Sequence, residues 1–216
     1  MLQECFASPM SPSVTHCGST AHLVRTFVCS HSAQRFLFVL SSARETVAPL
    51  NSLAAGLLAG SDFHDAWAIK SSAVDIPALG HFIAAVARTP GWVNACMALR
   101  NRAVSLLGLK DLGHLSAVAR GRPPSEYRPG DRVGIFTLYE NTFDEALLGD
   151  KDKHLDVVLS VHRALLPGEG EVLVTVTTVV HVHNMLGRIY MLPVKPMHRV
   201  IAPAVLSAIG RASKTA

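Results

Sequence analysis

Four polar side chains on two neighbouring β-type segments have the types and the spacing that chemistry needs: His154, Asp156, His181 and His183. The loop Pro167–Gly170 between the segments predicts a tight hairpin in which Leu166 pairs with Glu171. In that register Asp156 lies opposite His181. Because side chains alternate along a strand, all four polar side chains then share one face of the hairpin.

This polar face has three interpretations. A carboxylate that orients an imidazole is an arrangement for proton transfer, so His181 and Asp156 are the predicted catalytic pair of an enzyme. Imidazoles and carboxylates also bind metals, so the same pair with His154 and His183 is an alternative metal site, although we expect no metal or other cofactor. In the third interpretation these are ordinary cross-strand polar pairs on a solvated face, and the opposite, Val-rich face is the core face.

The segments around this hairpin predict an α+β fold. Five segments have the alternation or composition of β-strands: 62–70, 132–140, 145–149, 154–166 and 171–184. Two short helices are predicted near 75–88 and 92–106, and an amphipathic C-terminal helix is predicted at 197–209, after an irregular entry that contains Pro193 and Pro196. This order indicates a curved antiparallel sheet that grips a long C-terminal helix.

The sequence predicts one domain with short extensions. Residues 1–44 are rich in Ser, Thr, Cys, His and Pro without sustained periodicity, so we expect a poorly ordered N-terminal extension there. Residues 45–212 form the single α+β domain, and residues 213–216 form a tail. Three of the four cysteines fall in the extension without the short spacings of zinc ligands, so zinc is not expected.

Composition argues against several functional classes. The 216 residues carry a net charge of +4, but the basic residues are scattered and are not interleaved with aromatic residues, so we do not expect nucleic-acid binding. No apolar run approaches the ~18 residues that span a bilayer. We therefore expect a cytoplasmic protein without stable membrane insertion. The chain has neither a G-x-G-x-x-G motif nor a P-loop, which argues against a nucleotide site.

Several motifs, in order, resemble a bacterial family of domains of unknown function. The resemblance covers roughly residues 62–211, and its motifs are Trp92-Val, Leu99-Arg-Asn-Arg102, Gly108-Leu-Lys110, Gly130 to Phe136, Leu148 to Asp156, Thr177 to Asn184 and Gly187 to Arg199. Relatives of this domain also occur behind short-chain dehydrogenase-like domains. The family is similar in plan to the START-like, helix-grip superfamily (SRPBCC), in which a sheet and a C-terminal helix enclose a hydrophobic cavity. The resemblance implies no catalytic residues.

This resemblance implies a binding module for a small apolar or amphipathic molecule between sheet and helix. The candidate ligand-binding residues are Trp67, Phe136, Tyr139, Met191 and Met197, with Arg100 and Arg188 as polar anchors. A place in the core is the competing interpretation for each apolar residue, and a salt bridge for each arginine. The alternatives to binding are a cyclase-, hydrolase- or isomerase-like enzyme that uses His181 and Asp156, and an interaction domain for a dehydrogenase-like partner. A homodimer is left open.

Overall fold

The computed structural model describes residues 42–105, 118 and 121–212. Most of the predicted extension 1–44, with three of the cysteines, lies outside the described residues, as do the motif Gly108-Leu-Lys110 and the tail 213–216.

Seven antiparallel strands form one curved sheet that does not close on itself. The strands are β1 Arg44–Thr46, β2 Phe63–Ser71, β3 Arg132–Val133, β4 Phe136–Asn141, β5 Glu145–Lys151, β6 Leu155–Leu166 and β7 Glu171–Val182. Their order across the sheet is β1-β2-β7-β6-β5-β4-β3. The long hairpin β6–β7 therefore lies near the centre, and β2 pairs with its outer side.

The predicted register of the β6–β7 hairpin is confirmed. Leu166 pairs with Glu171, and Asp156 pairs with His181. The two glycines of the connecting loop, Gly168 among them, have positive φ angles of 77° and 60°. Residues with a Cβ atom rarely adopt this conformation, so the loop that sets the register depends on glycine.

One predicted strand, 132–140, is wrong in detail. β3 ends at Val133 and β4 begins at Phe136, and these two residues pair across a two-residue turn. Gly134 in that turn has a φ of 62°, which a tight hairpin turn requires and glycine readily adopts. The split strand and the short edge strand β1 account for the difference between five predicted strands and seven observed ones.

The described residues contain three helices: α1 Ala78–Ala87, α2 Gly91–Ser105 and α3 Met185–Ala212. Of these, α1 and α3 pack on the front of the sheet. The irregular entry predicted for the C-terminal helix is wrong, because α3 continues through all three of its prolines. Each proline frees the carbonyl four residues earlier. Those carbonyls belong to exposed residues, where water can bond them: Ile189, Leu192 and Arg199. The α+β class, with a long helix packed against a curved antiparallel sheet, is confirmed.

The two faces of the sheet are covered differently. The front face carries the core, which includes Leu79, Leu138, Leu148, Val161 and Val174. The back face of β5, β6 and β7 is covered by a 3₁₀ segment, Leu53–Leu57. Glu145 joins the 3₁₀ segment to the sheet. Its carboxyl oxygens accept hydrogen bonds from the Leu53 N–H at 2.9 and 3.0 Å and from the Ser160 hydroxyl at 2.6 Å. This part of the polar face is therefore buried and not solvated.

A buried histidine lies on the core side of α1. His81 is 2% exposed, and its Nε2 has no hydrogen-bond partner among the described residues. Burial, and then the nearby charge of Arg163, lower the pKa of His81 to about 4, although the Ala73 backbone opposes the shift. The imidazole is therefore neutral in the folded protein at neutral pH.

We predict that His81 makes the fold sensitive to acid. Its pKa is about 4 in the folded protein against 6.5 for an unperturbed histidine. The unfolded state therefore takes up the proton first, and the free energy of unfolding should fall by about 3 kcal/mol as the pH drops through this window and stay level above it. Urea denaturation at several pH values measures the slope.

The matched variants for this prediction are His81→Met and His64→Met. His64 lies at an exposed position of β2. The first variant should flatten the slope in this pH window, and the second should keep the wild-type slope. An unchanged slope in His81→Met would contradict the prediction.

Candidate functional site

A cavity of about 170 Å³ lies between the front of the sheet and the helices. Its sheet side consists of Trp67, Ile135, Phe136, Leu159, Val176 and Thr178. Its helix side consists of Phe82, Ala85 and Val86 of α1, Met97 of α2, and His198, Ile201, Ala202, Val205, Leu206 and Ile209 of α3. The wall formed by the described residues is therefore apolar except near Thr178 and His198.

Three of these lining side chains form a hydrogen-bonded group with Asp65, which lies behind the wall and does not line the cavity. We call these residues of β2, β7 and α3 the Asp65 group: Asp65, Trp67, Thr178 and His198. Asp65 is buried; its Oδ1 accepts a bond from His198 Nε2 at 3.1 Å, and its Oδ2 accepts one from Trp67 Nε1 at 3.0 Å. The Thr178 hydroxyl lies 3.2 Å from the same His198 nitrogen. Since Asp65 and Thr178 pair across β2 and β7, the two strands present them together to α3.

The hydrogen bonds of this group determine its charge. Burial by itself raises the pKa of Asp65, but the hydrogen bond and charge of His198, with bonds from Trp67 and Thr178, outweigh burial and hold that pKa below its ordinary value. Asp65 is therefore ionised at neutral pH. A carboxylate only accepts hydrogen bonds, which assigns a proton to His198 Nε2.

Two of the seven predicted ligand-binding residues, Trp67 and Phe136, line the cavity. The other five are not among its lining residues: Arg100, Tyr139, Arg188, Met191 and Met197. Arg100 Nε instead donates to the Tyr190 hydroxyl at 3.0 Å and its guanidinium stacks over that ring at 5.3 Å, so it joins α2 to α3. Met191 is buried, whereas Arg188 and Met197 are exposed on α3.

The predicted catalytic pair lies on the back face of the sheet, away from the cavity. Asp156 and His181 are cross-strand neighbours, but each has another partner. Asp156 Oδ1 lies 3.2 Å from His183 Nε2, and His181 Nε2 donates to the Leu57 carbonyl at 3.1 Å. His181 therefore bonds the 3₁₀ segment that covers this face, and a catalytic role for the pair stays a prediction.

The alternative metal site is not supported. His154 Nδ1 lies about 3 Å from the side-chain amide of Asn184. Within residues 42–105, 118 and 121–212, no three His, Cys, Asp or Glu side chains are grouped so that they could hold a metal ion. The four polar residues of the hairpin are instead divided among separate hydrogen-bonded pairs.

Sequence reasoning missed Asp65, Thr178 and His198. One signal was present. Asp65 and Trp67 are two residues apart in a predicted strand and so lie on the same face, the core face. A carboxylate on such a face needs hydrogen-bond partners. The partner itself has no local signal. His198 is 133 residues from Asp65 in the sequence, and only the packing of α3 on β2 brings them together.

Comparison with known proteins gives a family. No curated protein and no solved structure matches this sequence. A family model with the description "Protein of unknown function (DUF2867)" matches residues 57–205. The matched segment includes β2, β7 and most of α3, and therefore all of the Asp65 group. Since the match covers more than half of the chain, this protein belongs to the DUF2867 family, whose function is unknown.

Proposed function

We propose that the domain binds a small apolar or amphipathic molecule in the cavity between the sheet and α3. The observation that carries this proposal is the apolar cavity with one hydrogen-bonded polar group in its wall. Small-molecule sites usually have this form. The same arrangement supports a START-like, helix-grip plan, which we include in the proposal. A dehydrogenase-like partner remains a separate prediction from the resemblance.

The volume of the cavity limits the size of the ligand. An apolar protein cavity of roughly 150 Å³ holds benzene, and the cavity here is about 170 Å³. Sites for drug-sized molecules have volumes of about 300–1,000 Å³. A ligand that fits without movement of the walls therefore has one ring or a short branched chain, with a single polar group near Thr178 and His198.

Filling the cavity should weaken the binding of a ligand of this size. The probe is ethylbenzene, and titration calorimetry measures its affinity. Val205→Trp places a large side chain among the lining residues and should lower the affinity about tenfold or more, because the ligand loses most of its apolar contacts. The matched control is Val200→Trp on the same helix; Val200 is 56% exposed and does not line the cavity.

The control variant should bind ethylbenzene as the wild type does. Circular dichroism and thermal melting report whether each variant is folded, and Ala202→Leu provides a smaller addition to the same wall. Wild-type affinity in a folded Val205→Trp protein would mean that the ligand does not occupy this cavity.

The polar end of the site should favour ligands with a hydroxyl group. Benzyl alcohol and ethylbenzene have nearly the same shape and differ by a hydroxyl in place of a methyl. Thr178→Val removes the wall hydroxyl and should lower the affinity for benzyl alcohol about 3- to 10-fold, the effect of one hydrogen bond. Thr175→Val, at a buried position of β7 outside the lining, should change neither affinity. Equal losses for both ligands in Thr178→Val would contradict a polar contact to the ligand.

The Asp65 group also favours a second candidate function, proton transfer with a bound molecule. A carboxylate that holds the Nε2–H tautomer of a histidine leaves Nδ1 as a base. None of the hydrogen bonds of the described residues involves His198 Nδ1. The enzyme alternative, predicted for His181 and Asp156, then applies to His198 and Asp65. The simplest such reaction moves a C–H proton beside a carbonyl to Nδ1 and returns a proton from the imidazolium to the carbanion.

Hydrogen exchange of acetophenone tests proton transfer. In D₂O its methyl protons exchange for deuterium whenever a base removes and returns them, and NMR follows the loss of the methyl signal. We expect the wild type to accelerate the exchange over buffer, and His198→Gln to lose that acceleration. His181→Gln is the matched control and should exchange at the wild-type rate. Loss in His181→Gln alone would favour the pair on the back face, and no acceleration by the wild type would remove this candidate.

A further inference from the structure

The outward side of α3 carries an apolar stripe. Its residues recur at spacings of three and four, which places them on one side of a helix, and we call them the outer stripe: Met185, Ile189, Leu192, Pro196 and Val200. All five are exposed, and Leu192 is 72% exposed. At 1.5 Å per residue the outer stripe is about 22 Å long. The described residues leave this apolar area of α3 uncovered.

One edge of the outer stripe is basic. Arg188, Lys195 and Arg199 follow that edge at helical spacing. Lys195 donates to the Asp62 carbonyl at 3.1 Å. Arg188 and Arg199 are exposed, and their guanidinium groups form no ion pair with any described residue. Two cationic groups beside the stripe are therefore available to an anionic partner.

The three described helices contain no acidic residue to balance this charge. The helices α1, α2 and α3 contain six Arg or Lys residues and no Asp or Glu. The whole chain, in contrast, has 20 basic and 16 acidic residues. Positive charge is therefore concentrated on the side of the molecule that carries the outer stripe.

We propose that the outer stripe docks on an anionic lipid membrane, with α3 lying in the plane of the interface. The apolar residues would contact the acyl chains, and the basic edge would contact the anionic headgroups, as in other interfacial amphipathic helices. The inference comes from exposure and charge, and it depends neither on the cavity nor on a ligand.

The prolines of α3 agree with docking at headgroup depth. They free backbone carbonyls at exposed positions of the helix, and the hydrocarbon core offers no donor for such groups. The hydrated headgroup layer does offer donors. No helix in the described part of the chain is long and apolar enough to cross a bilayer. The expected contact is therefore peripheral.

A second copy of the chain is a poorer partner for the same surface. Contact between two outer stripes would bring together two α3 helices, neither of which has an acidic residue. The basic edges would then gain no opposite charge from the facing helix, whereas an anionic membrane supplies many.

Sedimentation with phospholipid vesicles tests the proposal. The wild type should bind vesicles of phosphatidylcholine with phosphatidylserine, bind phosphatidylcholine alone more weakly, and lose affinity as salt is added. Leu192→Asp should lower the partition coefficient about tenfold or more. The matched control is Leu165→Asp in the β6–β7 hairpin, because Leu165 is 67% exposed against 72% for Leu192. It should bind as the wild type does.

A second pair of variants distinguishes the effect of the basic edge on vesicle binding from the effect of the net charge. Each arginine removed near the surface should lower the affinity about fivefold, so Arg188→Gln with Arg199→Gln should lower it about 25-fold. Arg128→Gln with Arg132→Gln removes the same charge at exposed positions beside β3, at the sheet edge opposite the β2 side on which α3 packs, and should stay within about twofold of the wild type. Thermal melting of all variants should be unchanged, since the substituted residues are exposed.

Three results would overturn the proposal. Equal losses in the two double variants would attribute binding to net charge, and equal losses in Leu165→Asp and Leu192→Asp would remove the role of the outer stripe. A dimer that Leu192→Asp dissociates, seen by light scattering with no vesicle binding, would assign the surface to a second copy. Val205→Trp should keep wild-type vesicle binding, which distinguishes this surface from the cavity.

Discussion

The pairing of β6 with β7 is the constraint on which the other features depend. Its register turns Val176 and Thr178 towards the helices, and Thr177 and His181 towards the back. A slip of one residue would exchange the two faces of β7, and would place Thr177 in the apolar cavity in either direction of the slip. The four-residue loop prevents such a slip, because two of its residues are glycines with positive φ. The position of every side chain on the central strands follows from this short loop.

This local origin explains which features the sequence could predict. The hairpin register and the α+β class depend on alternation, helical periodicity and short loops, which are visible within a few residues. The continuation of α3 was missed because the cost of proline depends on where the freed carbonyl points, and exposure decides that only in the folded chain. The contact between Glu145 and Leu53, which are 92 residues apart, was missed because no pattern in either segment refers to the other.

The contacts of the Asp65 group also join residues that are far apart in the sequence, so no local pattern predicts them. The energetic cost of burying this group bears on its role. A buried charged group is weak evidence for stability, because an apolar pair of similar size would often stabilise a fold as well. Asp65 is nevertheless buried, and although burial by itself raises its pKa, hydrogen bonds from three side chains and the charge of His198 hold that pKa below its ordinary value. Removal of one donor would leave part of its desolvation cost uncompensated. The presence of this polar group beside a cavity supports the proposed ligand site.

The distribution of charge matters more for this molecule than the total. A net charge of +4 over 216 residues is modest, but the three helices hold six basic residues and no acidic one. At physiological ionic strength, charges more than about 8 Å from a surface are largely screened. A nearby anionic surface would therefore interact mainly with the helical side. It would hardly interact with the acidic strands and loops behind that side. Segregated charge also orients the molecule, since only one side is attracted. The side that would face an anionic surface is the side on which α3 exposes its apolar residues.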